Sequence, residues 1–369
     1  MKKFRWQLLT LFLAGLVIGI LLILEKRGGI GQMGTPQPVS GGVYTEALIG
    51  NLSRLNPLLD SANQVDRDVD RLIFSGLVSF DSRGMPVPDL AESIRVSQDG
   101  IIYNVTLKPE LTWHDGEPLT TADIAYTIDL IKSGEGYIAS DLIAFWNEIN
   151  LVVIDDQNMQ FVLPEAFSPF QDYLAFGVLP KHILNGNTIQ QIAESEFNLQ
   201  PVGSGPYKFS ELTVEDDVIT GLTLKKFENY AGSGPFLEEI HFRYYPDAQT
   251  AYQAYLDKYV QGISEIPDSL LPTALSNTDL SIYTGRLPQI SMVLFNLNDT
   301  GVIFFQDANI RKALLLGLNR QKLVNEIFNG QAIIANGVIF PESWAYLDSQ
   351  TQVTYDFDQA ALLLKEAGY

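Results

Sequence analysis

The sequence predicts an α/β protein, and three observations carry that expectation. Residues 101–108 set Ile101, Tyr103, Val105 and Leu107 against Ile102, Asn104, Thr106 and Lys108, the period-two pattern of a half-buried strand. Beyond it Thr120, with Asp123 three residues on, has the form of a capping box, and Ile124, Ile128 and Ile131 follow at the spacing of one buried helix face. Further along, strand patterns at 222–227 and 240–245 give way to helical spacing at Ile310, Ala313, Leu314 and Leu318.

The chain has 369 residues, 46% of them hydrophobic, which is enough for two or three domains with their own cores. Its formal net charge is −20. Lys2, Lys3, Arg5, Lys26 and Arg27 face only Glu25 in the first 27 residues, so the remainder is more acidic still. A surface of that sign repels phosphate backbones and argues against nucleic acid as a partner. With no cysteine there are no disulfides, no thiolate metal sites and no lipidated cysteine.

Taken in order, residues 1–27 read as a short cytoplasmic end and a transmembrane signal-anchor. Residues 8–24 are uncharged and apolar, close to the roughly 17–25 needed to span a bilayer, and the basic residues before them place the N-terminus inside. No small-x-small site follows before Glu25, which favours an uncleaved anchor over a cleaved signal peptide; in either case the bulk is exported. Residues 28–42, rich in Gly, Pro, Gln and Ser, read as a linker. A strand and a loop containing Leu55-Asn56-Pro57 come next, and Val65, Val69, Leu72 and Ile73 are spaced for an amphipathic helix. Residues 132–140 read as a Gly-rich loop, while 149–154 and 159–163 read as strands around Asp155-Asp156-Gln157-Asn158. Gly203-Ser204-Gly205 lacks the Lys-Ser/Thr of a phosphate-binding loop and reads as a tight turn. Residues 290–297 read as an apolar strand, and helices follow from Asp307, at Leu323 to Phe328, and from Asp356 to a stop at Gly368.

Within residues 89–123, Asp89-Leu90-Ala91-Glu92-Ser93, Leu107-Lys108-Pro109, Trp113-His114-Asp115-Gly116-Glu117-Pro118-Leu119-Thr120 and Ala122-Asp123 form a long ordered string. It resembles the signature of family 5 extracytoplasmic solute-binding proteins, the oligopeptide, dipeptide and nickel binders of ABC importers. Leu179-Pro180-Lys181-His182, Pro201-Val202-Gly203-Ser204-Gly205-Pro206-Tyr207, Asn309-Ile310-Arg311-Lys312-Ala313-Leu314 and the ending of the last helix continue the likeness, with Ser204 for Thr and Asn319 for Asp. The resemblance implies a two-lobed periplasmic-binding-protein-like fold of the class II type that closes on its ligand by hinge motion. The first lobe would occupy 43–286 and a partial second lobe 287–369, because family members continue further.

The resemblance also implies the partners: a peptide ligand and ABC permease subunits, with the membrane reached through the N-terminal helix, the protein being a monomer and no cofactor being called for. Candidate ligand-binding residues are Asn63 and Gln64, in the loop before the first helix, Tyr137 in the Gly-rich loop, and Met292 on the strand at 290–297. Asn63 and Gln64 also have a plainer reading as a solvated helix entry, and Tyr137 as a surface or packing tyrosine. The competing classes are an anchored extracellular hydrolase using carboxylates such as Asp155-Asp156 or Glu215-Asp216-Asp217, and a sensor that keeps the fold without transport. Those acidic runs read as solvated turns, and His114-Asp115 as a structural turn rather than a catalytic pair.

Overall fold

The computed structural model describes residues 39–340 without 286 and 288, together with 346–347 and 352–369. The apolar run at 8–24 and most of the linker lie outside the described residues, among which no helix is long and apolar enough to cross a membrane. The strands are β1 (Val43–Ile49), β2 (Val78–Phe80), β3 (Pro86–Pro88), β4 (Ala91–Val96), β5 (Ile102–Leu107), β6 (Asn150–Val153), β7 (Asn158–Val162), β8 (Tyr207–Glu215), β9 (Val218–Lys226), β10 (Glu239–Tyr245) and β11 (Gly262–Ile263). The longer helices are α1 (Gln64–Ile73), α2 (Thr121–Lys132), α3 (Ser140–Glu148), α4 (Ala248–Leu256), α5 (Ala308–Gly317), α6 (Arg320–Glu326) and α7 (Phe357–Glu366).

The larger sheet has the order β11-β1-β10-β9-β8. β1 runs parallel to both β10 and β11, while β9 turns the sheet antiparallel on the far side. Alternation along β1 and β10 sends Leu48, Ile240 and Phe242 into a core with Val65, Val69 and Ile73 of α1. Their neighbours Ala47, Ile49 and Tyr245 meet Ala251 and Ala254 of α4 on the opposite face. The smaller sheet, β4-β5-β7-β6, is antiparallel. Tyr103, Val105 and Leu107 of β5 point into its core and meet Ile124, Ile128 and Ile131 of α2, with Trp113, Trp146, Phe161 and Phe170 filling the space between. The capping box forms as expected: Ala122 N–H donates to Thr120 Oγ1 (3.3 Å) and Thr120 N–H to Asp123 Oδ2 (2.9 Å).

Between the sheets lies the turn at Trp113-His114-Asp115-Gly116. His114 N–H donates to Gly203 O (2.9 Å), and Gly203 N–H donates back to the ring at Nδ1 (3.1 Å). Those partners put the proton on Nε2, which donates to Gly205 O (3.1 Å). Burial holds the imidazole's pKa down at about 4, against the support of the Gly205 bond, so the ring is neutral. Gly205 N–H in turn donates to Ile73 O at the end of α1 (2.7 Å).

Several elements differ from the sequence reading. Gly203 and Gly205 do not form a tight turn; they lie against the backbone of α1, where a Cβ on Gly203 would sit 2.0 Å from Ile73 O and one on Gly205 2.5 Å from Leu72 O. The expected strand at 290–297 is not a strand: no described strand pairs with it, and Val293 and Leu294 are exposed. A single extended segment has nothing to complete its backbone hydrogen bonds. β2, β3, β4, β8, α3 and α4 were not foreseen. Glu215-Asp216-Asp217 is indeed a turn, joining β8 to β9 through left-handed Asp216 (φ 50°) and Asp217 (φ 63°), as a two-residue hairpin loop requires. Toward the end of the chain α5 and α7 pack Ala313 and Leu316 on Ala360 and Leu363, and the expected caps Asp307 and Asp356 are in place.

Gly203→Ala is expected to lower stability by about 3 kcal/mol, since the added methyl group overlaps a carbonyl that cannot move without displacing α1. Chemical denaturation of the two proteins measures it, and a change under about 0.5 kcal/mol would contradict the packing described.

Candidate ligand-binding edge

Because β1, β10 and β11 are parallel and in register, with Leu48 opposite Tyr244 and Ala47 opposite Ile263, their carboxyl ends open on one edge of the sheet. Open α/β sheets take ligands at that end, where the connecting loops diverge. Here the edge comprises the loop 50–63 after β1, Pro246 and Asp247 after β10, and the segment from Ser264 after β11.

The loop 50–63 is held by polar contacts from below. It leaves β1 at Gly50 (φ 123°), whose N–H donates to Tyr245 O (2.8 Å). Asp66 and Asp70 of α1, only 1% and 2% exposed, hook its backbone. Ser53 N–H and Arg54 N–H donate to Asp66 Oδ1 (2.9 Å) and Oδ2 (3.0 Å), and Asn56 N–H donates to Asp70 Oδ2 (3.0 Å). Asn56 Nδ2 reaches Asn198 Oδ1 (3.1 Å), and Leu58 N–H donates to Asn56 Oδ1 (3.1 Å), which accounts for an Asn in the Leu-Asn-Pro turn.

Burial pushes three carboxyls on this edge above their usual range. Asp60 rises to about 6, with burial outweighing the pull of Arg67 and Arg71. Asp66 rises although the Ser53 and Arg54 amides oppose it. Asp70 rises well above the carboxylate range through burial and then the charges of Asp60 and Asp66. Glu46 is raised by burial and Asp68, and the Tyr244 hydroxyl is raised by burial and then by Asp66 and Asp70. Chemically the edge offers carboxyl groups, backbone polar groups and amide side chains, the repertoire of a hydrogen-bonding and cation-accepting surface. The three histidines are occupied elsewhere: His114 in the backbone knot, His182 Nε2 on Asp115 Oδ2 (2.8 Å) and His241 Nε2 on Glu239 Oε2 (3.1 Å).

Two of the candidate residues stand together on this edge. Asn63 is the N-cap of α1: its Oδ1 accepts from Val65 N–H (3.0 Å) and its Nδ2 donates to Asn51 O (3.0 Å). Gln64 opens the helix exposed, its Nε2 donating to Asp68 Oδ1 (2.6 Å) and its Oε1 accepting from Arg67 (2.6 Å). Tyr137 lies elsewhere, in the turn before α3, and is 39% exposed. Met292 is 52% exposed on the segment that is not a strand. No hydrogen bond joins either to Asn63 or Gln64 among the described residues. The sequence reading missed Asp60, Asp66, Asp70, Asn56 and Tyr244. Asp66 and Asp70 did carry a signal, since each follows a buried valine, Val65 or Val69, at the same helical spacing.

A family model described as bacterial extracellular solute-binding proteins, family 5 Middle, matches residues 85–369. The chain belongs to that family. It is 27% identical over 340 residues to the oligopeptide-binding protein AppA of Bacillus subtilis, covering 90% of this chain and 60% of the relative. It resembles a solved structure of the oligopeptide-binding protein AppA from Bacillus subtilis in complex with a nonapeptide (TM-score 0.65, 26% identity, 90% of this chain and 65% of that one). It also resembles NikZ from Campylobacter jejuni in complex with Ni(L-His) (TM-score 0.67, 25% identity, 88% and 63%). The chain thus spans 60–65% of the length of these relatives.

Asn63→Ala is expected to destabilise the protein by about 1 kcal/mol through loss of the cap, and Asn63→Ser to restore most of it. Thermal unfolding of both variants checks this; equal loss in the two would mean that the contact to Asn51, not the cap, is what Asn63 contributes.

Proposed function

We propose that the chain is the ligand-binding part of an ABC importer, capturing peptides outside the cytoplasmic membrane and delivering them to the permease without altering them. The observation that carries this reading is the likeness, over 90% of this chain, to AppA in complex with a nonapeptide, together with membership of the family. The carboxyl edge of β1, β10 and β11 would be the place, and β11, outermost at its side of the sheet among the described residues, suits a peptide held by backbone hydrogen bonds as an added strand. In this reading residues 43–286 and 287–369 contribute to two lobes that close on ligand. Closure is driven only by contacts better made in the closed state. Asn63, Gln64, Tyr137 and Met292 would face the ligand. The uncharged run at 8–24, preceded by Lys2, Lys3 and Arg5, would anchor a monomer to the membrane. A nickel chelate is the second reading, favoured by the likeness to NikZ in complex with Ni(L-His).

The test is thermal unfolding of the purified protein with a mixed di- to pentapeptide library, and separately with nickel and histidine, followed by mass spectrometry of what co-purifies. A peptide-dependent rise in Tm with intact peptides recovered is expected, because ligand binding to the native state stabilises it. Cleaved peptides would replace the reading with hydrolysis, and a rise with nickel and histidine alone would replace peptides with the chelate. Gln64→Ala is expected to weaken the binding detected while leaving the ligand-free Tm unchanged; unaltered affinity would remove Gln64 from the site.

A further inference from the structure

Asp66 and Asp70 lie one helical turn apart on α1, both almost completely buried, and between them they accept the backbone N–H groups of Ser53, Arg54 and Asn56. Asp66 uses both oxygens in this way. Asp70 uses only Oδ2: among the described residues its buried Oδ1 has no hydrogen-bond partner, and neither has the hydroxyl of Tyr244 on β10. An ionised carboxylate with a naked buried oxygen is costly, whereas the neutral acid carries no charge to desolvate there. The charged and titratable groups facing Asp70 come from every side. Asp66 lies on its own helix, Asp60 on the loop and the Tyr244 hydroxyl on the sheet. The cations near the cluster, Arg67 and Arg71, act on Asp60, and Arg54 acts on Asp66. The neighbours that act on Asp70 itself are therefore acidic, apart from the Asn56 amide.

We propose that Asp66 and Asp70 form a proton-operated latch on the loop 50–63, closed while Asp70 keeps its proton on Oδ1 and loosened when that proton is released to solvent. In the closed state the buried pair carries at most one negative charge, and each carboxyl holds its backbone donors. Release puts two negative charges one turn apart in a buried site, with Asp60 beside them, and the strain falls on the hooks to Ser53, Arg54 and Asn56. The raised values of Asp60, Asp66 and Asp70 agree in direction: each favours the protonated fold, adding stability in acid that is lost as the pH climbs through the folded-state value. His114 has the opposite dependence. Its lowered value adds stability above about 6.5 that is lost as the pH falls toward about 4. A local readout on the loop therefore separates the two.

The experiment is amide hydrogen exchange on the full chain from pH 5 to 9, corrected for intrinsic exchange, reading Ser53, Arg54 and Asn56. Protection of all three is expected to fall at least tenfold across that range in the wild type. In Asp70→Asn, whose amide keeps an acceptor for Asn56 N–H and carries a neutral donor, protection is expected to be high and flat. Asp60→Asn, a change in a half-buried loop position, is expected to move the midpoint of the loss to lower pH, because one negative neighbour of Asp70 is gone. Wild-type protection independent of pH would overturn the proposal, as would an Asp70→Asn protein that keeps the wild-type profile. If Asp70→Asn does not fold, an unmoved midpoint in Asp60→Asn would overturn it on its own.

Discussion

His114 is fastened through its backbone and both ring nitrogens to Gly203 and Gly205, and Gly205 is fastened to the last turn of α1. These few bonds connect the turn that leads from the smaller sheet into α2, the helix beneath the larger sheet, and the chain about to enter β8. The imidazole fits here only as a neutral donor and acceptor, which burial ensures. The two glycines fit only because they lack a side chain at the point where their backbone meets that of α1. With this knot in place the two cores are held side by side, and α1 is presented to the candidate edge at a fixed height.

From that fixed helix the edge is built outward. α1 offers its apolar stripe to the sheet and two acids to the loop above it, so one short helix serves both as core and as foundation for the loop 50–63. A loop hooked by buried carboxyls has a different character from one held by apolar packing. Its hydrogen bonds are directional, but the carboxyls that make them stand in an environment that disfavours their charge. Placement of Ser53, Arg54 and Asn56 thus comes with sensitivity to protonation, and the same acids add to burial in raising the Tyr244 hydroxyl on the neighbouring sheet.

The carboxyl ends of β1, β10 and β11 have the form that open α/β sheets use for ligands. Binding proteins need surfaces that are well ordered yet able to exchange water for ligand, and the carboxyl ends of parallel strands provide that. Their last backbone groups face outward and their loops diverge. Among the described residues no strand follows the two-residue β11 on that side of the sheet.

Local patterns were legible in the sequence alone: the strand at β5, the capping box of α2 with its isoleucine stripe, the amphipathic α1, and the caps Asp307 and Asp356. All of these depend on near neighbours, and the ordered string from Asp89 to Asp123 carried the family. The likeness made Asn63 and Gln64 candidates in the loop before α1, but their hydrogen bonds to Asn51, Asp68 and Arg67 were not foreseeable from it. What only the tertiary structure decided were contacts between residues far apart in the chain. Gly203 looked like a turn residue because its reason, the carbonyl of Ile73, lies 130 positions earlier in sequence and 2.0 Å from where a Cβ would sit. Residues 290–297 have the composition of a strand, but a strand exists only when another segment completes its hydrogen bonds. Asp66 and Asp70 are charged residues of an amphipathic helix by sequence, and only the fold over them, bringing Ser53, Arg54, Asn56 and Tyr244 onto that face, made them buried.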